Sequence, residues 1–506
     1  MIKLKQELVK KFGVFSLLGK RISENIAYYG DDIEKLHKEY KKLILLIPLF
    51  TFISIFLYIK VSYYFVLINT INIFIYFYPF IVTEIRKSEQ RKNIENEIPM
   101  FLLFAYVNSL LGKSLYKTFE EIRSSTVFKG FKKEALLLTK EVEVLGKSSL
   151  SAMESRAKVH RSDFLGKIYS IYTSGEILGI SMSERLKDLL TEAIENLNII
   201  FQNYIERVNE LVEILFMLFL VTPMILLAFQ YISSSVNIFT LLMPLILAPM
   251  IFFYITAIQP NIGYEVKINV KEIKNSLFML PIPLVLVFLL HLNLKYDLLI
   301  FYLLFVVFSF IVYRRISFGD NILNNLPSVL ADIADYLRLG YSLKSALLKI
   351  SSDNPNFKKF LDKVAVTIRS NRPLSTINTD IWIVNSILEL IENIDKKGFA
   401  DSFTFKDASL ILNNYISLRN KVLKSLQLFS ALAVITPFIF YFALGIMSKI
   451  RTIGGLDFIS LIYSITLSIM YARISRFTIF NFPLLVIVFI SIALVLTFGH
   501  FILAFI

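Results

Sequence analysis

Two stretches decide the reading of this chain: "NEIPMFLLFAYVNSLLGKSL" at residues 96–115 and "NNLPSVLADIADYLRLGYSL" at residues 324–343. Each carries a proline, Pro99 or Pro327, and a glycine thirteen positions later, Gly112 or Gly340, that opens a Gly-x-Ser-Leu sequence with Ser114 or Ser342. Proline suits a first helical turn, where its missing N–H has no partner to lose. Glycine followed by serine suits a helix end that turns into the next N-cap. Each signal alone is generic, but their recurrence in register marks an internal duplication, which is the first thing to seek in a long chain. Phe131-Lys132-Lys133 and Phe357-Lys358-Lys359 extend the match, and Thr222-Pro223 in "FLVTPMILLAF" and Thr436-Pro437 in "AVITPFIFYFAL" close each copy.

The 506 residues are 55% hydrophobic and only 19% charged, with a mean hydropathy of +0.62, which places the chain in the membrane class. Cysteine is absent, so disulfides, thiolate-bound zinc and thiol catalysis are excluded. The net charge of +14 is read as loop lysine and arginine kept on the cytoplasmic side, with no nucleic-acid partner. Nine apolar runs are long enough to be transmembrane candidates, near 43–59, 61–83, 211–232, 236–258, 277–292, 297–313, 426–447, 456–472 and 478–501. They organise the chain into a cytoplasmic amphipathic segment (1–42), helices 1–2 (43–83), a first polar domain (84–210), helices 3–6 (211–313), a second polar domain (314–425) and helices 7–9 (426–506).

Four crossings separate the two polar domains, so both face one side. Basic residues at the membrane ends, among them Arg86, Arg314, Arg315, Lys421, Arg473 and Arg476, make that side cytoplasmic, against Lys449 and Arg451. The N-terminus is then cytoplasmic in a multi-pass protein of the cell membrane. Its Ile2, Leu8, Val9, Phe12 and Phe15 among lysines read as an amphipathic helix that either lies on the membrane or docks on the rest of the protein. Apolar spacing of three and four residues makes both polar domains helical bundles, and the fold class an all-α polytopic membrane protein with tandem duplication.

Several motifs imitate chemistry. Gly-Lys-Ser occurs at Gly112 and at Gly146, but a phosphate loop needs a glycine five residues earlier, where Val107 and Glu141 stand. "YTSGEILG", with Gly175, Glu176 and Gly179, reads as a helix-turn-helix junction with an acidic first turn and not as a catalytic carboxylate. The membrane runs carry no ionisable residue near their midpoints, which weighs against ion-coupled transport. No catalytic, metal or cofactor site is expected.

"LPSVLADIADYLRLGYSLKSALLKI", "YTSGEILGISMSERLKDL" and the Thr-Pro helices together resemble the F-domain family of type II secretion and type IV pilus machines. Two such domains in one chain look most like the archaeal platform proteins of archaella and pili. The resemblance implies a non-enzymatic membrane platform, two cytoplasmic F-domains, a hexameric secretion ATPase as cytoplasmic partner and pilin subunits as membrane partners. Within it, Lys132, Lys133, Lys358 and Lys359 are candidates for docking the ATPase, and a filament base suggests a homodimer. The second copy departs from the pattern, reading "ELIENIDKKG" where the first has Ser174-Gly175-Glu176. A rival of another class is a transporter permease with a separate ATP-binding subunit; neighbouring genes separate the two.

Overall fold

A computed structural model describes residues 16–30, 33–60, 69–232, 238–260, 294–398, 401–450 and 456–505. The described residues are helical throughout, with no strand, and divide into two units, Met1–Ala193 and Ile194–Ile506.

In the first unit, α1 (Ser16–Tyr29), α2 (Ile33–Ile44) and α3 (Ile47–Lys60) precede the 42-residue α4 (Asn69–Leu110). Four shorter helices follow, α5 (Leu115–Arg123), α6 (Gly130–Glu143), α7 (Ser149–Val159) and α8 (Phe164–Leu178), and then the start of α9 (Met182–Phe216). Aromatic rings fill the core: Phe101 stacks on Phe131 at 3.8 Å and Phe104 meets Phe128 edge-on at 5.2 Å. Burying such rings contributes about 2 kcal/mol each before any geometric bonus. Helix α1 packs on α4 with Ile22, Ile26, Tyr28 and Tyr29 buried. The amphipathic residues from Ile2 to Phe15 lie outside the described residues.

The second unit holds the rest of α9, a π turn (Met217–Val221), α10 (Thr222–Ile232), α11 (Ile238–Leu242) and α12 (Ala248–Ile258). It continues with α13 (Leu294–Arg338), α14 (Leu343–Lys349), α15 (Pro355–Arg369) and α16 (Trp382–Lys397), and ends with α17 (Ser402–Ile450), α18 (Leu456–Arg476) and α19 (Phe482–Phe505). The most buried of the membrane-length helices is α18. Its Tyr463 hydroxyl donates to the Leu241 carbonyl at 2.6 Å, and its Ser468 accepts from the Tyr302 hydroxyl at 3.0 Å, so these polar groups are paired inside the apolar core.

Five helices among the described residues are long and apolar enough to cross a membrane: Met182–Leu226, Thr240–Ile258, Tyr296–Arg338, Ser402–Ala443 and Asp457–Arg476. These spans make the chain a membrane protein whose described residues form helices and no strand. The remaining expected spans do not appear in that set for separate reasons. The described part of α3 covers 14 residues and ends at Lys60, where the described residues break off. Residues 61–68 and the whole 277–292 run lie outside the described residues. In α19 the part with described side chains, Phe482–Phe498, counts as a shorter apolar helix.

Pro99 and Pro327 are not at helix starts. They sit inside α4 and α13, which enter from the apolar side and run on through them. Nothing upstream of either proline breaks the helix, so an internal proline is tolerated at the cost of one backbone hydrogen bond.

Candidate functional site

The Gly-x-Ser turns are built alike in the two units. Gly112 ends α4 at φ +72 and Gly340 ends α13 at φ +84, both left-handed. The next amides, Lys113 and Tyr341, donate back to Asn108 and Tyr336 at 2.9 and 3.0 Å, closing the same helix-ending loop. Ser114 then caps α5 by accepting from the Lys117 amide at 3.4 Å, and Ser342 caps α14 by accepting from Ser345 at 3.3 Å. A Cβ at either glycine would meet open space, so glycine is required there for its dihedral angle alone. The lysines of both Gly-Lys-Ser sequences are engaged by carboxylates: Lys113 Nζ lies 2.8 Å from Glu121 and Lys147 Nζ lies 2.5 Å from Glu141.

Glu176 lies in the last turn of α8, not in a first turn, and accepts from the Tyr172 hydroxyl at 2.6 Å. The helix continues through Gly175 to Gly179 because both Gly175 and Tyr172 are buried against neighbours. A Cβ on Gly175 would come within 2.1 Å of Met182 Cε, while Gly179, at φ +67, supplies the left-handed end of the helix. The Tyr172 hydroxyl also accepts from the Leu115 amide at 3.0 Å, which brings the α8 end to the Gly112 turn.

Of the four docking candidates, Lys133, Lys358 and Lys359 are exposed. Lys132 is half-buried and donates to the Ser125 carbonyl at 2.9 Å, so it closes the α5–α6 loop from within. The preceding aromatics Phe131 and Phe357 are both buried near the starts of their helices.

The two Thr-Pro pairs that close the copies are accommodated differently. The π turn Met217–Val221 precedes Pro223, and the Thr222 hydroxyl donates to the Met217 carbonyl at 2.9 Å. Through Pro437 α17 stays α-helical, with Thr436 donating to Leu432 at 2.6 Å. One helix widens a turn around the missing N–H, whereas the other returns a hydroxyl to a carbonyl four residues back.

A polar cluster that sequence reasoning did not single out lies in the first unit. Glu134 on α6 is fully buried and receives Arg156 Nη2 at 2.6 Å, Arg156 Nε at 2.8 Å and the Tyr169 hydroxyl at 3.0 Å. His160 Nε2 lies 3.1 Å from Glu134 and its Nδ1 lies 3.5 Å from Asp163. The cluster grips the end of α1: Arg156 donates to the Ala27 and Tyr28 carbonyls at 2.8 and 3.2 Å, and the Tyr28 hydroxyl donates to Asp163 at 2.6 Å. A guanidinium on the last carbonyls of a helix also meets the negative end of its dipole.

Burial works against every charge in this cluster, and the partners outweigh it. The Glu134 carboxyl is held well below its ordinary range by Arg156 and His160, and Asp163 is lowered by His160, Tyr28 and Arg91. Burial disfavours the His160 imidazolium, but Glu134 and Asp163 raise its pKa above the usual value. Every strong charge thus has a counter-charge, which makes the cluster a closed clasp for α1 rather than an open reactive centre. The readable signal was Glu134 itself, which takes a place on the buried stripe Phe131, Ala135 and Leu138 where an apolar residue belongs. Counting from the matched phenylalanines, the second copy has Phe360 at that place.

A second buried carboxylate, Glu97 on α4, accepts from the amides of Lys129, Gly130 and Phe131 at 2.7, 3.0 and 2.9 Å and so caps α6. In the second unit α15 is capped by its own Asn354, which is paired with Asn321 of α13 at 3.2 Å. Among the described residues no group of three or more His, Asp or Glu is placed to hold a metal ion. No family model, curated protein or solved structure matches the chain.

Proposed function

We propose that the protein is a non-enzymatic platform of a type IV pilus-like assembly machine in the cell membrane, with two cytoplasmic F-domains and nine crossings. A cytoplasmic hexameric ATPase docks on these domains and drives pilin subunits from the bilayer into a filament. The observation that carries this reading is the repeated device at the membrane exit. In each copy a long helix with an internal proline leaves an apolar stretch and ends in a left-handed glycine, and a serine-capped helix follows. Long helices that run unbroken between apolar and polar segments, as α13 and α17 do, suit the transmission of motion better than flexible joints.

The ATPase contact is assigned to Lys133, Lys358 and Lys359, since Lys132 is committed to its own loop. Affinity capture of the ATPase by the full-length protein tests this. Glutamate at the three exposed positions is expected to weaken capture and raise its salt sensitivity. Capture that is unchanged by the triple substitution would remove these lysines from the interface.

A further inference from the structure

The apolar stretch of α13 ends at Tyr313, followed by Arg314 and Arg315. Helix α18 ends at Arg476, whose guanidinium lies 5.9 Å from the Tyr313 ring centre, so the end of α18 and the end of the apolar stretch of α13 lie at one level. That level is basic. Arg419 and Arg476 both pair with Asp320, at 2.6 and 3.7 Å. Just beyond, a cavity of about 280 Å³ opens beside α13. Its polar side is Arg315, Lys363 and Asp380, and Phe318, Phe360 and Ile377 give it an apolar wall.

The cavity is shaped in advance. Asp380 holds Arg315 through Nε at 2.9 Å and Nη2 at 2.6 Å, which fixes the plane of the guanidinium. The Lys363 ammonium rests 5.9 Å over the Phe318 ring. Gly319 lets the 377–381 segment close over the helix, since a Cβ there would come within 2.8 Å of Ile381 Cγ1. Arg315 to Gly319 lie two to six residues past Tyr313, about 3–9 Å along the helix axis, and the headgroup layer of a bilayer is about 6 Å deep. One turn below, Phe310 and Ile311 are exposed, 46% and 48%, as acyl chains would require.

We propose that this pocket binds the phosphate of an anionic lipid headgroup, with the acyl chains lying along the exposed apolar face of α13. Two cations against one carboxylate leave the lining net positive, and basic pockets at helix ends on the membrane surface are suited to such headgroups. The inference needs the helices to lie in a bilayer but does not rest on the platform reading.

Native mass spectrometry of the full chain released from detergent micelles tests it, with phosphatidylglycerol and phosphatidylcholine as probes. Phosphatidylglycerol should be retained in preference, and Lys363→Gln should lower its occupancy about fivefold, the loss expected for one cation near a charged surface. Arg315→Gln should lower it further; if that variant does not fold, the exposed Lys363 position still decides. Glycerol phosphate added in excess separates two sources of the same chemistry: failure to displace assigns the lipid, and displacement assigns a soluble phosphate ester. Equal retention of the two lipids by the unaltered protein, or retention of phosphatidylglycerol unaffected by Lys363→Gln, would overturn the proposal.

Discussion

His160 faces Glu134, Arg156, Asp163 and Tyr28, with Tyr169 on Glu134, Arg91 on Asp163 and Lys87 over the Tyr28 ring, so its charge state bears on the grip on α1. Its folded pKa lies above the unfolded value of about 6.5. Its contribution is therefore complete below about pH 6.5 and is lost as pH rises through the folded pKa. The lowered pKa values of Glu134 and Asp163 act on the other side, giving stability above about pH 4 that is lost on further acidification. Hydrogen exchange of the residue 16–29 amides should accelerate as pH rises through the raised folded pKa of His160, beyond the intrinsic chemical increase. In His160→Gln that excess should vanish; an excess that persists would locate the pH dependence elsewhere. Glu134→Ala leaves Arg156 buried and unpaired, and thermal or denaturant unfolding should show a loss of about 3–5 kcal/mol.

At the scale of elements, the turns and caps separate backbone need from packing need. Gly112→Ala and Gly340→Ala meet open space and should each cost about 1–2 kcal/mol through the left-handed dihedral alone. Gly130→Ala drives a Cβ to 2.7 Å from the Ile94 amide, where backbone must move, and should be the most damaging of the three. Denaturant midpoints of the three variants check that order. Glu97→Ala uncaps α6 and should cost about 2 kcal/mol, with raised exchange confined to the first turn of that helix. These elements also show what the sequence can express. The Gly-x-Ser turns were legible because a left-handed glycine and a serine cap are local chemistry. Pro99 and Pro327 were misplaced as helix starts, because whether a proline begins or interrupts a helix depends on what lies before it. The clasp was not legible as a unit, because Tyr28, Glu134, Arg156 and His160 meet only through tertiary packing, although Glu134 on an apolar stripe was a visible anomaly.

At the scale of the molecule, hydropathy was enough for the all-helical membrane class, while the number of spans depends on helix lengths and breaks that composition does not fix. The chain lacks cysteine, so single cysteines report topology without background. Lys133→Cys and Lys359→Cys should be labelled by an impermeant maleimide only after the cell is opened; labelling of either in intact cells would reverse the orientation. The asymmetry between Glu134 and Phe360 gives the two domains different interiors. The most direct test of the platform reading is electron microscopy of cells from which the gene has been deleted, alongside a complemented strain. The account predicts loss of surface filaments, with processed pilin retained in the membrane and filaments restored by complementation. Normal filaments in the deletion strain would contradict it.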